Sequence, residues 1–334
     1  MKVTFYCNIY KSAFSIVEFY KQDIEILQEL GYQVLITNKY RDIDWSSDLI
    51  FIWWWTYAFY PVLNAKLLGK KTIITGTFNY RAPQMPMDYF RRPFWQRCLI
   101  KFAMKNSSCN ILVSKNEYQQ IYHDWKLKNI AYSPHVVEID KYKPNCSQRE
   151  KYLFSIIWTG KLNLIRKCLP EIIESVKILV KKNSGFKIFI AGSYGDGFND
   201  VKNLVDKFKL SENIILLGEI SEKEKIKYLQ NCMIYLQPSR YEGFGLAIAE
   251  AMSCGAPIIA SDSGEVKNLV GDAGFLLSGY QPEEIAAAIE LLINDSDLRK
   301  AYSQKARKRI ANKFHFDIRK NDIKKIIAKL FKSL

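Results

Sequence analysis

Histidine is scarce in this chain. There are three in 334 residues, His123, His135 and His315, and none pairs with another at ligand spacing. That argues against a histidine-built metal centre. The seven cysteines, at positions 7, 98, 109, 146, 168, 232 and 254, form no C-x-x-C pair, and their number is odd. Neither a disulfide framework nor a zinc ribbon fits, and a reducing compartment does. Long apolar runs are missing too: the longest, residues 49–63, is interrupted by Thr56 and Pro61 and is too short to span a bilayer. No small-residue cleavage site follows the opening Met1-Lys2-Val3-Thr4-Phe5-Tyr6, so the start reads as a buried strand and not as a signal peptide. The expected location is cytoplasmic.

Acidic residues are outnumbered, 34 against 49 Lys and Arg, for a net charge of +15. Nucleic acid, an anionic membrane face and acidic metabolites are the partner classes such a surplus suggests, and a merely solvated lysine-rich surface is the plain alternative. No known nucleic-acid-binding motif accompanies the charge. With 48% hydrophobic residues the chain is not generally disordered, and its length suits two ordinary domains.

What is present is alternation. Residues 2–6 read as a strand. Residues 15–30 carry Ile16, Phe19, Tyr20, Ile24, Leu27 and Leu30 at helical spacing up to Gly31, and 33–37 form a second strand. Strands at 48–55, 71–75 and 110–114, with a helix at 58–68, continue the pattern, which builds a parallel doubly wound sheet. Arg91, Arg92, Arg97, Lys101 and Lys105 interleave with Phe94, Trp95, Leu99, Ile100 and Phe102. This basic amphipathic segment fits either a membrane face or a core-facing helix with a solvated basic side. Pro134 and Pro144 bracket a stretch that reads as an inter-domain hinge, with His135 as a structural loop residue. The expected domains are 1–145, joined by a terminal helix at about 315–334, and 151–314.

In the second half, a strand at 153–158 runs into Thr159-Gly160-Lys161, ahead of a helix at 169–182. Strands are expected at 186–191 and 213–218. The loop Gly192-Ser193-Tyr194-Gly195-Asp196-Gly197 is glycine-rich but lacks dinucleotide-binding spacing. Ser221-Glu222-Lys223-Glu224 is a capping box. The most informative run follows. A strand at 233–236 is ended by Pro238 and Ser239, Gly243 and Gly245 bracket Phe244, and a helix is expected from Leu246 to Ser253, stopped by Gly255. Glu242 precedes that helix and Glu250 lies within it. The first helical N–H groups have no partner in the helix and attract negative charge. Anion-binding amides flanked by two carboxylates suit a ligand with a phosphate and hydroxyls on either side, such as a sugar nucleotide.

Two glutamates with seven residues between them, a Gly-aromatic-Gly after the first, and Glu250-Ala251-Met252 leading to Gly255 and Pro257 resemble the signature of retaining glycosyltransferases of family 4. The resemblance covers most of the second domain and implies a GT-B fold: two doubly wound Rossmann-like domains facing a cleft, the last helix crossing back to the first. It implies transfer of a hexosyl unit from a UDP- or GDP-linked sugar to a hydroxyl of a glycan or lipid-linked acceptor, in bacterial polysaccharide or lipopolysaccharide synthesis, with peripheral membrane attachment and no metal or other cofactor.

By the same resemblance, Lys161 and Lys167 meet the diphosphate, with Lys161 replacing an arginine. Glu242 binds sugar hydroxyls and orients the anomeric carbon. Gly160, Phe244, Gly245 and Leu246 contact the donor, Glu219 and Ile220 meet the base, and Glu250 accepts from the ribose. Acceptor-side contacts fall at Tyr10, Lys11 and Thr77. The first loop departs from the family pattern: residues 8–13 hold no glycine, and the family's histidine position falls near Gly76 or Thr77. Asp42-Ile43-Asp44 has D-x-D form but lies in the wrong domain for a metal. The alternatives are a non-catalytic scaffold subunit and, on charge alone, a nucleic-acid-binding protein.

Overall fold

The structure is a computed structural model that describes residues 1–145, 149–182 and 185–332, so Cys146 lies outside it. The chain forms two compact units, one of residues 1–135 with 316–334 and the other of residues 136–315.

The first unit is built on six parallel strands: β1 (Lys2–Tyr6), β2 (Gln33–Thr37), β3 (Leu49–Trp53), β4 (Lys71–Gly76), β5 (Cys109–Leu112) and β6 (Ile130–Tyr132). Their order in the sheet is β2-β1-β3-β4-β5-β6. All five residues of β3 are buried, because helices cover both faces of the sheet. The order reverses between β1 and β3. In such sheets ligands bind outside the strand C-termini at that reversal.

The terminal helix Phe316–Lys332 belongs to this unit. Ile323 and Ile327 enter its core, and the lysines beside them point the helix's other side outward. Between them and the chain sits a buried ion pair. Arg319, fully buried, donates through Nε to Asp23 Oδ1 at 2.6 Å and through Nη2 to Asp23 Oδ2 at 2.9 Å. It also donates to the Ser133 carbonyl at 2.7 Å. Asp23 lies on helix Glu18–Glu29, so one guanidinium fastens the last helix to the first long one.

The second unit has strands β7 (Glu150–Ile156), β8 (Ile188–Ala191), β9 (Ile214–Gly218), β10 (Cys232–Gln237), β11 (Ile258–Ser261) and β12 (Phe275–Leu277). They pair in the order β12-β11-β10-β7-β8-β9, all parallel. Read from β9, this is the doubly wound dinucleotide-binding order, with its reversal between β7 and β10.

Several expectations shift in detail. The strand expected at 153–158 is β7, which ends at Ile156, and a short helix, Lys161–Arg166, precedes helix Leu169–Val180. Helix Leu246–Ser253 and the Ser221–Glu224 capping box form as expected. The stretch read as a hinge is in large part core: Val136, Val137 and Tyr142 are buried in the second unit. Arg307 Nη1 donates to the carbonyls of Ile139, Tyr142 and Ser253 and ties that stretch down. Prolines mark an irregular backbone, but they do not say whether it packs.

In the first unit, the basic amphipathic segment becomes helix Phe94–Asn106, with Ile100, Ala103 and Met104 buried. Two of its cations lie over rings, Arg97 over Phe94 at 5.9 Å and Lys101 over Trp125 at 5.6 Å. Among the described residues, no helix is long and apolar enough to cross a membrane.

Candidate active site

The loops after β7 and β10, at the reversal of the second sheet, carry most of the predicted donor residues. Their centre is Glu242, which is buried. Its Oε1 accepts from Lys167 Nζ at 2.6 Å, Gln237 Nε2 at 2.9 Å and Ser239 Oγ at 2.9 Å, and it is ion-paired to Arg166 Nη1 at 3.1 Å. All four groups converge on that oxygen, and none of these contacts uses Oε2.

Burial alone would push the Glu242 carboxyl up. The charges of Lys167 and Arg166, with hydrogen bonds from Lys167 and Ser239, outweigh it and bring the pKa down to about 2. Lys167 is also shifted down: burial disfavours its charge most, Glu242 restores part of it, and Arg166 opposes. The cluster thus sets one carboxylate against two basic side chains.

The loop holding Glu242 is pinned from behind. The Glu265 amide donates to the Glu242 carbonyl at 2.9 Å, and Ser263 Oγ donates to the Ser239 carbonyl at 2.6 Å. Gly264 makes this approach feasible: its φ is +58°, and a Cβ there would stand 2.1 Å from the Glu242 carbonyl oxygen.

Gly245, at φ +93°, turns the chain into helix Leu246–Ser253, which has no side-chain cap. The amides of the first helical turn therefore remain for a ligand. Phe244 itself is a core residue: it is buried and packs edge-on against Phe314 at 5.8 Å. Only its backbone is placed to contact a ligand.

Lys161 opens helix Lys161–Arg166 after Gly160. Its amide donates to Asp196 Oδ1 at 2.9 Å, and its ammonium is exposed, without a charged partner among the described residues. Lys167 and Glu242 are thus brought into contact, and Lys161 stands outside that contact. Glu250 is buried, and its Oε1 is ion-paired to Lys225 at 2.9 Å. Glu219, after β9, is exposed, and Ile220 is half-buried.

Sequence reasoning left out Arg166, Gln237, Ser239, Ser263 and Lys225. Nothing in the spacing of Arg166 from Lys161 marks it, since five positions put the two on different helix faces.

In the first unit, Thr77 lines a cavity of about 300 Å³ together with Asn8, Trp54, Tyr57 and Arg92, and neither Tyr10 nor Lys11 lines it. Tyr10 is 88% exposed. His135 is buried, stacked on Trp53 with ring centroids 5.8 Å apart, and burial together with the Arg319 charge holds its pKa well below the usual range. It is a neutral packing residue. Asp44, of the D-x-D sequence, is ion-paired to Lys2 at 2.5 Å.

With this geometry in hand, comparison with known proteins is specific. Residues 156–309 match the family described as glycosyl transferases group 1. The capsular polysaccharide biosynthesis glycosyltransferase CapM of Staphylococcus aureus is 30% identical over 172 residues, 49% of this chain and 43% of CapM. The uncharacterized glycosyltransferase MJ1178 of Methanocaldococcus jannaschii is 30% identical over 238 residues, 70% of this chain and 63% of that protein. The chain thus spans less than two thirds of the length of either relative. Among solved structures, Anabaena Alr3699/HepE in complex with UDP superposes with a TM-score of 0.78 at 16% identity, each chain covered over 100%. The fold class is α/β of the GT-B type, as the sequence implied. The group 1 segment contains Gly160, Lys161, Arg166, Lys167, Glu242 and Glu250.

Proposed function

We propose that this protein is a retaining hexosyltransferase that moves a hexosyl unit from a UDP- or GDP-linked sugar to a hydroxyl of a glycan or lipid-linked acceptor in surface polysaccharide synthesis. The observation that carries the reading is the cluster of Lys167 and Arg166 on Glu242 Oε1, next to a helix whose first amides are uncapped. The two basic side chains and the amides suit a diphosphate, and the second Glu242 oxygen suits sugar hydroxyls. Supporting context comes from CapM, named for capsular polysaccharide, and from the fold neighbour that binds UDP.

In this reading Lys167, Arg166 and the exposed Lys161 neutralise charge growing on the departing diphosphate. Glu242 orients the ring. Glu250, steadied by Lys225, accepts from the ribose, and Glu219 and Ile220 border the base. A carboxylate with a pKa of about 2 is a poor base, and one oxygen engaged by four donors is a poor nucleophile. Those two properties favour displacement on the same face. The acceptor oxygen bonds to the anomeric carbon as the bond from that carbon to the phosphate oxygen breaks. The electron pair stays on that phosphate oxygen, which takes the acceptor proton.

A thermal-shift screen of the full chain against UDP- and GDP-sugars tests the reading. One nucleotide class is expected to raise Tm, since a ligand at about 100 times its Kd adds about 2.7 kcal/mol. Release of the matching nucleoside diphosphate should accompany it. No shift with any donor would overturn the proposal.

A further inference from the structure

The cavity of about 300 Å³ in the first unit sits where that sheet reverses, between the loops after β1 and β3. Its walls are aromatic, from Trp54, Trp55, Tyr57 and Phe78, and its cation is Arg92.

The site is built and held. Trp55 Nε1 donates to Asn110 Oδ1 at 2.8 Å, and the buried Glu117 carboxylate accepts from the amides of Phe78 at 3.1 Å and Tyr80 at 3.2 Å. Trp54 takes φ +74°, a conformation a bulky side chain rarely adopts, and its Nε1 donates to Tyr20 Oη at 2.6 Å. Strain of that kind collects at ligand sites.

Arg92 is half-buried, and among the described residues its guanidinium makes one hydrogen bond, to Thr56 Oγ1 at 3.2 Å, while its Nε is buried without a partner. No carboxylate lies within ion-pair distance among the described residues. Burial disfavours its charge, and the nearest acid, Asp88, offsets this only in part. Both Asp88 oxygens already accept amide hydrogen bonds, from Ala82 at 2.5 Å and Phe90 at 2.8 Å. A guanidinium fork held in an aromatic pocket with unused donors lacks an oxyanion.

We propose that this pocket receives a sugar ring that carries an oxyanion, a phosphate or a carboxylate, with the ring against Trp54 and Tyr57 and the anion on Arg92. That such a sugar would serve as the acceptor rests on the transferase reading above. The binding chemistry does not.

The test is calorimetric titration of the full chain with glucose 6-phosphate, methyl glucuronide and the neutral methyl glucoside. At least one anionic probe is expected to bind about 10-fold or more tightly than the neutral one, the scale of a charge-assisted hydrogen bond. Which of the two binds separates phosphate from carboxylate. Arg92→Gln should erase the preference, and Arg92→Lys should keep part of it, since the charge remains and the fork is lost. Added salt should weaken the anionic probe and spare the neutral one, a readout that needs no variant. Equal binding of all three, no binding by any, no salt effect, or a preference that survives in Arg92→Gln would overturn the proposal. Titrating UDP and GDP into the same preparation separates the two readings. Anionic-sugar binding without nucleotide binding sinks the transferase and leaves the pocket, and the reverse sinks only the pocket.

Discussion

Glu242→Gln is expected to lower turnover by about 100-fold or more, the loss that accompanies misplacement of a reacting group, while donor affinity holds or improves. The split follows from the cluster. In the free protein Glu242 occupies Lys167 at 2.6 Å and Arg166 at 3.1 Å, so it competes with a diphosphate for the same cations. Glutamine keeps the shape and can still accept from Ser239, but it releases both cations to the ligand. What is lost is the ionised oxygen that fixes the ring. Parallel measurement of kcat and donor Kd reads this directly, and equal losses in both would mean that Glu242 only props up the binding site.

The same substitution changes the pH dependence of stability. The Glu242 carboxyl titrates at about 2 in the folded protein against an ordinary value of 4.5. Its contribution is therefore fully present above 4.5 and is lost as pH falls from there toward about 2. Denaturant midpoints of the native protein and Glu242→Gln should converge across that window.

The largest effect on stability is expected at Arg319. Arg319→Ala leaves the Asp23 carboxyl fully buried and without the guanidinium that binds both its oxygens. Breaking one side of such a pair costs about 3–5 kcal/mol. In a unit of this size that corresponds to a Tm lower by roughly 10 °C. Because the lost contacts join helix Phe316–Lys332 to helix Glu18–Glu29, protease cleavage near the C-terminus should rise with it. Arg319→Met with Asp23→Leu, which removes both charges, should recover much of the loss. A single variant as stable as the native protein would show that the pair contributes little.

The parts of this protein legible in its sequence are those that local physics decides. Alternating apolar runs located most strands and helices, and the Gly-Phe-Gly turn with helix Leu246–Ser253 lies where glycine and helical spacing place it. The three-residue strands β6 and β12 escaped because so short a run has no periodicity. Lys167 read as a cation for a ligand, and its contact with Glu242 is made across 75 positions of chain. The same holds for Asp23 and Arg319, 296 residues apart, which interrupt the apolar pattern of their helices and look solvated. Neither spacing nor composition records which charges meet. Trp54 shows another limit: nothing in a Trp-Trp-Trp run marks the middle residue as left-handed.

The claim on which the account turns is that Lys167 and its neighbours hold a diphosphate. Calorimetric titration of the native protein and Lys167→Met with a nucleoside diphosphate and with the bare nucleoside tests it, each done with uridine and with guanosine. The account predicts that the preferred nucleoside diphosphate loses about 10-fold or more in affinity, the scale of a hydrogen bond to a charged group, while its nucleoside binds both proteins alike. Unchanged diphosphate binding in Lys167→Met, or equal weakening of the bare nucleoside, would contradict it.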